Sequence, residues 1–125
     1  MKRYLYEIEK QFHFSSSHVL NGLPEGHPCG RLHGHNYIAV FVLGADVLND
    51  YGFVVDYRAL DSIKRYIDDT LDHRHLNDVL SFQPTAENLA HYLYTTAKYD
   101  LDIKEIIEVR VSETPKTWAS YRPNH

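Results

Sequence analysis

One seven-residue stretch, Cys29-Gly30-Arg31-Leu32-His33-Gly34-His35, contains a thiol and two imidazoles, which are side chains suited to metal binding or nucleophilic chemistry. If the residues from His33 onward form a strand, alternate side chains share a face, so His33 and His35 point the same way. Two imidazoles directed at one point provide half of a metal site. A third ligand would leave a tetrahedral ion one open position for substrate or water, as catalytic zinc requires.

The segment before this stretch predicts the third ligand. Between residues 3 and 18, apolar and aromatic side chains recur at even positions, which indicates a strand with one buried face. His18 lies on that face, at the end of the strand. A lone histidine at a strand end is more often structural, but the combination of His18, His33 and His35 predicts a metal site, with zinc as the expected ion.

Three further groups could take part in chemistry, and each has a simpler alternative. Asp72 beside His73 is suited to orienting an imidazole for proton transfer, although a histidine after a helix can also cap that helix. Cys29 could be a thiolate base if a metal or His73 lowered its pKa, or it could be an inert buried thiol. Glu113 shares the parity of apolar strand residues, so its carboxylate either binds paired N–H donors or is solvated at the strand end.

The composition limits the class of protein. At 125 residues, 43% hydrophobic and 24% charged, the chain is expected to form one domain over residues 1–125. The net charge of −4 and the absence of a basic run argue against a nucleic-acid partner. No apolar run approaches the roughly 18 residues of a membrane span, and the first residues do not resemble a secretory signal, so we expect a cytoplasmic protein without a membrane partner. Cys29 is the only cysteine, which excludes an intrachain disulfide.

The residue periodicity predicts six elements in the order ββααββ. They are a strand over 3–18, a strand over 32–43, a helix that begins after Asp56 and ends near Leu71, a second helix capped by Thr85, and strands over 105–113 and 117–121. This order predicts an α+β fold, a four-stranded antiparallel sheet with two helices on one face. Strand 32–43 is apolar on both faces, so its helix-free face is available to a neighbouring subunit.

Five short motifs are spread over nearly the whole chain. They are Phe12-His13-Phe14-Ser15-Ser16-Ser17-His18, Pro24-Glu25-Gly26-His27-Pro28-Cys29-Gly30-Arg31-Leu32-His33-Gly34-His35-Asn36, Leu71-Asp72-His73-Arg74-His75-Leu76-Asn77, Pro84-Thr85-Ala86-Glu87-Asn88-Leu89-Ala90 and Val111-Ser112-Glu113-Thr114. In these motifs the sequence resembles the 6-pyruvoyltetrahydropterin synthase family, and most closely its 6-carboxy-5,6,7,8-tetrahydropterin synthase branch. The three-residue gap between Cys29 and His33 is similar to that branch, whereas the pyruvoyl branch has a longer gap. Ser17 is a departure, since the family pattern leads us to expect Ala there.

The resemblance implies a zinc-dependent lyase with defined site residues. It implies that His18, His33 and His35 bind zinc, that Cys29 is the general base, that Asp72 and His73 form a proton relay, and that Glu113 anchors the pterin, with Thr85 as a second substrate-binding residue. It also implies a tunnelling fold, in which the sheets of a trimer or hexamer join into a barrel with active sites at subunit boundaries. The implied reaction converts 7,8-dihydroneopterin triphosphate to 6-carboxy-5,6,7,8-tetrahydropterin, with release of acetaldehyde and triphosphate, in queuosine biosynthesis.

Two other functions remain open at this point. A 6-pyruvoyltetrahydropterin synthase would retain the side chain that the carboxy branch releases as acetaldehyde, and a non-catalytic pterin- or metal-binding module would bind without turnover. The residues do not locate the triphosphate either, because Arg31, Arg74, His27 and Lys116 are all candidates.

Overall fold

The computed structural model describes residues 3–123, whose strands form one open five-stranded sheet. The strands are β1 (Tyr6–His18), β2 (His33–Ala45), β3 (Arg74–His75), β4 (Ile106–Thr114) and β5 (Thr117–Tyr121). Their order across the sheet is β3-β1-β2-β4-β5, so β3 and β5 form its two edges. β1 pairs with β3 in parallel, whereas the other three pairs are antiparallel.

The long β1–β2 pair carries the predicted metal ligands. Its register runs without interruption from Tyr6 opposite Ala45 to His18 opposite His33. Facing residues of an antiparallel pair project from the same face of the sheet, so the pairing brings His18 and His33 together. The predicted alternation of β1 is confirmed toward the histidine, where Phe12, Phe14, Ser16 and His18 are all buried.

The predicted four-stranded antiparallel sheet is wrong in its strand number and in one pairing. The four predicted strands are present, each beginning and ending within three residues of its predicted bounds. The additional strand, β3, pairs in parallel with β1 at Ser16 and Ser17. A strand of two residues is too short to produce a period in the sequence, and the polar residues around it favoured the interpretation as a loop.

Three α-helices accompany the sheet: α1 (Asp61–Thr70), α2 (Leu76–Val79) and α3 (Ala86–Thr95). The sequence predicted α1 and α3 but not the four-residue α2. The Asp56 side chain caps a 3-10 helix, Tyr57–Leu60, that leads into α1, and a π-helical turn, Thr96–Asp100, extends α3. The predicted apolar stripes are confirmed as core, with Leu60, Ile63, Ile67, Leu71, Leu89, Ala90, Leu93 and Ala97 all buried against one face of the sheet. None of the helices within residues 3–123 has the length and apolar character needed to cross a membrane.

The opposite face of β2 is covered by side chains of the same chain. Val40 and Val42 are only 1% and 4% exposed, in a cluster separate from the main core. The guanidinium of Arg110 on β4 lies 2.6 Å from a carboxylate oxygen of Glu9 on β1. Because β1 and β4 flank β2, this ion pair crosses over the central strand. The apolar outer face of β2 therefore does not by itself require a neighbouring subunit.

Candidate metal centre and active site

Three histidines at the paired ends of β1 and β2 form the most compact group of potential metal ligands in residues 3–123. His18 lies opposite His33, and His35 lies two residues further along β2 on the same face. One ring nitrogen from each of the three lies within 4.8 Å of the others. The structure thus brings together the three residues that the sequence predicted as a ligand set.

Backbone carbonyl groups determine which nitrogen of two of these rings carries the proton. The Nδ1 atom of His18 lies 2.7 Å from the Pro84 carbonyl oxygen, and the Nδ1 atom of His33 lies 2.6 Å from the Arg31 carbonyl oxygen. A carbonyl oxygen can only accept a hydrogen bond, so both Nδ1 atoms carry the hydrogen and both Nε2 atoms carry a lone pair. These two Nε2 atoms are 2.9 Å apart. Two lone pairs facing each other at this distance repel, and a cation between or beside them would relieve that repulsion.

Burial disfavours a proton on two of the three rings in the cluster. Burial lowers the pKa of His18 below 6.5, and it lowers the pKa of His35 in the same way. Both rings are therefore neutral at pH 7, which is the form that binds a metal. The Tyr37 hydroxyl, 3.2 Å from Nδ1 of His18, stays protonated because burial raises its pKa. The donor set fits zinc, which is commonly bound by three imidazoles with one position open.

Glu113 lies beside the histidines at the end of β4. Its Oε2 atom is 3.4 Å from Nε2 of His18 and 3.6 Å from Nε2 of His35, and its side chain is 26% exposed. The alternative of a carboxylate solvated at a frayed strand end does not fit this position. The negative charge opposes the effect of burial on both histidines, and it would partly compensate the charge of a bound cation.

The Asp72–His73 pair is held against β1 by hydrogen bonds. Oδ1 of Asp72 accepts the N–H of Ser15 at 2.8 Å, and Oδ2 lies 2.9 Å from Nδ1 of His73. The Ser15 N–H, followed by His73, lowers the pKa of Asp72, so this carboxylate stays ionised and orients the imidazole. The His73 ring binds Asp72 and does not cap α1. The guanidinium of Arg74 instead donates to the Asp69 carbonyl at the end of that helix.

His73 has an unusual backbone conformation for a non-glycine residue. Its φ is +58°, in the left-handed region, and its side chain is 83% exposed. Such a conformation is costly for a residue with a Cβ and persists only where surrounding contacts impose it. Here the N–H of His73 donates to the carbonyl of Ser15 at 2.7 Å. In this conformation the imidazole lies at the surface, beside Asp72.

The serine run of β1, Ser15–Ser17, is a part of the site that sequence reasoning missed. Each of the three serines binds the segment 71–75: besides the Ser15 contacts, Oγ of Ser16 donates to the Leu71 carbonyl at 2.5 Å, and Oγ of Ser17 lies 3.0 Å from Nδ1 of His75. The signal in the sequence was three consecutive hydroxyls before a predicted ligand. An open groove of about 460 Å³ runs along this run and is lined by both His35 and His73. The groove therefore extends from one histidine of the cluster, His35, to His73.

Cys29 lies in the loop between β1 and β2. It occupies the middle of a 3-10 helix, Pro28–Gly30, where its N–H donates to Nδ1 of His27 at 3.0 Å. The residue is half-buried, and its Sγ atom has no hydrogen-bond partner among residues 3–123. Within one chain, the structure therefore does not connect Cys29 to His73 by a hydrogen bond. The role of Cys29 as general base stays a prediction.

Thr85 caps α3, as the sequence predicted. Its Oγ1 atom accepts the N–H of Asn88 at 3.1 Å. The hydroxyl hydrogen remains available to donate elsewhere. The additional role of Thr85 in substrate binding stays a prediction.

Comparison with known proteins gives a consistent set of relatives. Residues 7–124 match the family model described as 6-pyruvoyl tetrahydropterin synthase. The chain is 33% identical to the 6-carboxy-5,6,7,8-tetrahydropterin synthase of Bacillus subtilis, over 96% of this chain and 87% of that protein. It is 35% identical to the 6-pyruvoyl tetrahydrobiopterin synthase of Drosophila melanogaster, over 72% of this chain and 57% of that protein. The solved structure of 6-pyruvoyl tetrahydropterin synthase from Caenorhabditis elegans matches with a TM-score of 0.85 at 28% identity, covering 99% of this chain and all of that one.

Removal of one ligand should abolish tight metal binding. We expect His33→Ala to reduce bound zinc from about one ion per chain to a small fraction of that, because two imidazoles do not complete a zinc site. The measurement is zinc content by mass spectrometry after metal-free protein has been loaded and desalted. His13→Ala is the matched control, since His13 is an exposed histidine on β1 outside the cluster, and it should retain full loading. Equal zinc content in both variants would contradict the ligand assignment.

Acid should destabilise the metal-free protein in a range set by the histidines. Folding lowers the pKa of His18 and His35 below 6.5, so their contribution to stability is present above about pH 6.5 and is lost as pH falls through the lowered values. We expect the urea midpoint of unfolding to decrease between about pH 7 and pH 5. The decrease should be smaller in His35→Gln, which lacks one of the two groups. A midpoint that does not change over this range would contradict the neutral, buried state of these rings.

Proposed function

The chain belongs to the 6-pyruvoyl tetrahydropterin synthase family, and we propose that it converts 7,8-dihydroneopterin triphosphate to 6-carboxy-5,6,7,8-tetrahydropterin, releasing acetaldehyde and triphosphate. The observation that carries this proposal is the histidine cluster, with the Nε2 atoms of His18 and His33 2.9 Å apart and with His35 lining an open groove. A metal ion bound by these three imidazoles would act as a Lewis acid near the Asp72–His73 pair. The groove is lined from both groups, by His35 and by His73.

The choice between the two named chemistries of the family rests on the Cys29 spacing. Overall identity does not separate them, since the Bacillus subtilis and Drosophila melanogaster relatives carry different names at 33% and 35% identity. The three-residue gap between Cys29 and His33 favours the carboxy branch. The alternatives remain a 6-pyruvoyltetrahydropterin synthase and a non-catalytic pterin- or metal-binding module.

Zinc is the proposed cofactor, with His18, His33 and His35 as its ligands. When bound, it would polarise hydroxyl groups of the substrate side chain and so make their protons easier to remove near neutral pH. The ligand rings are prepared for this role because two of them are held in the required tautomer by backbone carbonyls. Glu113 is proposed to hold the pterin ring through two parallel N–H donors, the pattern that a carboxylate accepts best.

Cys29 and His73 are proposed to move protons. The Sγ atom of Cys29, as thiolate, would remove a carbon-bound proton of the substrate. Nδ1 of His73 is bound to Asp72, so Nε2 is the atom of this ring that is free to deliver or accept a proton. Holding donor and acceptor at fixed positions on either side of the substrate lowers the entropy cost of reaction.

We further propose a homo-oligomer, a trimer or hexamer whose sheets join into a barrel with shared active sites. Two features of the chain support it. Among residues 3–123, the outer side of β1 pairs only with the two-residue β3, and β5 is an open edge, so both sides of the sheet can accept another strand. The exposure of His73 and the lack of a partner for the Cys29 thiol within the chain fit a site that a second copy completes.

Residues 1–125 as a single domain, a cytoplasmic location and a place in queuosine biosynthesis belong to the same proposal. Residues 1, 2, 124 and 125 lie outside the described part of the chain.

Loss of the thiol should stop turnover and leave the metal site intact. We expect Cys29→Ala to lower kcat by at least about 10²-fold, the usual contribution of a general base, with unchanged zinc content because the ligands are imidazoles. Acetaldehyde release, followed with alcohol dehydrogenase and NADH, measures the reaction. Unchanged turnover at full zinc occupancy would exclude Cys29 as the base. A product that retains its side chain would identify the pyruvoyl chemistry, and bound but unconsumed pterin would identify a binding module.

The oligomer has two measurable consequences. Light scattering should give a mass three or six times the 14.6 kDa of the chain. Cys29→Ala and Asp72→Asn chains, each inactive alone, should recover part of the activity when they are unfolded together and refolded, because some sites then combine one intact residue from each chain. A monomeric mass would contradict the oligomer, and an assembled but inactive mixture would place both residues of a site in one chain.

A further inference from the structure

We propose that Asn77 and Gln83 are positioning residues that hold the Cys29 loop, residues 19–32, at a fixed distance from the histidine cluster. Their catalytic importance rests on the proposed function, whereas their effect on the position of the thiol does not. The proposal follows from a pattern of hydrogen bonds that both amides share.

Each of the two amides pairs with one backbone residue of the loop through two hydrogen bonds. Oδ1 of Asn77 accepts the N–H of Val19 at 2.8 Å, and Nδ2 donates to the Val19 carbonyl at 2.9 Å. Oε1 of Gln83 accepts the N–H of Asn21 at 3.0 Å, and Nε2 donates to the Asn21 carbonyl at 2.8 Å. A side-chain amide offers one donor and one acceptor side by side, so it replaces the peptide group of a neighbouring strand. Val19 and Asn21 are thereby hydrogen-bonded in the way that alternate residues of a strand are bonded to a neighbouring strand, although here the partners are side-chain amides.

The residue between the two paired positions is bonded to Cys29. The N–H of Leu20 donates to the carbonyl of Cys29 at 3.1 Å. The chain between Leu20 and Cys29 contains Gly22 and Gly26, with φ values of +81° and +83°. Because glycine has no Cβ, its backbone is less restricted than that of other residues, so the loop sequence alone does little to fix its conformation. The hydrogen bond from Leu20 therefore fixes the backbone of Cys29 to the segment that the two amides hold.

The same amides are tied to the metal-ligand candidates. Val19 directly follows His18, and Gln83 directly precedes Pro84, whose carbonyl binds Nδ1 of His18 at 2.7 Å. The carbonyl of Gln83 in turn accepts Nδ2 of Asn88 on α3 at 2.9 Å. One short segment before α3 thus sets both the orientation of the His18 ring and the position of the loop. Asn77 on α2 and Gln83 in the segment before α3 therefore hold the loop beside the histidine cluster.

The experiment uses the fact that Cys29 is the only thiol of the chain. The rate of alkylation by iodoacetamide therefore reports the accessibility of this residue alone, and measuring it from about pH 7 to pH 10 separates accessibility from thiol ionisation. We expect Asn77→Ala to raise the rate about tenfold, because two hydrogen bonds that close the loop are lost. Gln83→Ala should raise it less, since its hydrogen bonds are more exposed to solvent. Asn77→Asp, which keeps the acceptor and loses the donor, should lie between Asn77→Ala and the unsubstituted protein.

The matched control is Asn49→Ala. Oδ1 of Asn49 also accepts two backbone N–H groups, those of Tyr51 and Phe53, both at 3.0 Å, in a loop beyond the far end of β2. This variant also loses two side-chain to backbone hydrogen bonds, but at the opposite end of β2, a strand roughly 40 Å long. Its alkylation rate should match that of the unsubstituted protein. An unchanged rate in Asn77→Ala, or an equal rise in Asn49→Ala, would overturn the proposal.

Two further readouts separate this proposal from the proposed function. Zinc content should remain complete in Asn77→Ala, because the three imidazoles are retained. With the pterin substrate, kcat should fall about tenfold while KM changes little, as expected when a proton-transfer group is displaced but substrate binding is not. If the unsubstituted protein does not consume the substrate at all, the proposed function fails, and the alkylation rates still decide the role of Asn77 and Gln83.

Discussion

The contact between the ring nitrogens of His18 and His33 is the constraint on which the rest of this site depends. Both rings donate from Nδ1 to a backbone carbonyl, which leaves two Nε2 lone pairs 2.9 Å apart. This arrangement is unfavourable without a positive charge, and burial disfavours a proton on His18. A chain that keeps such an arrangement at the end of its longest strand pair is prepared for a metal ion.

Most of the polar contacts around the end of β1 come from one segment of the chain, residues 71–83. The end of β1 is bound on its open side by the segment 71–75, through the serine run, and beyond its last residue by the amides of Asn77 and Gln83. The segment from Leu71 to Gln83 therefore lies against the site along most of its length, although the sequence analysis treated part of it as a connection between helices. It holds the Asp72–His73 pair on one side and the Cys29 loop on the other. The Asp72–His73 pair is fixed to β1 through Ser15, whereas the Cys29 loop is held from outside the β1–β2 pair by Asn77 and Gln83.

The electrostatic preparation of the site differs between its two parts. Burial lowers the pKa of His18 and His35 and keeps these two rings neutral, whereas the Ser15 N–H and His73 lower the pKa of Asp72 and keep its carboxylate ionised. Two neutral imidazoles in the cluster and an ionised carboxylate beside His73 allow metal binding and proton transfer at the same pH. His73 has a left-handed backbone conformation, and its ring is largely exposed.

The sequence by itself determined the elements with a clear period and the ligand set that depends on them. The strand ending at His18, the strand beginning near His33 and the stripes of α1 and α3 follow from alternation and from 3.6-residue spacing, because each is long enough to repeat its pattern. The His-Gly-His spacing and the position of His18 were therefore readable without coordinates. Only the tertiary structure decided the parallel pairing of β3 with β1, the tautomers of the cluster and the paired amides on the Cys29 loop. These features depend on a few hydrogen bonds between residues as many as 66 positions apart in the sequence. Such contacts produce no periodic pattern of residue types, so the sequence does not predict them.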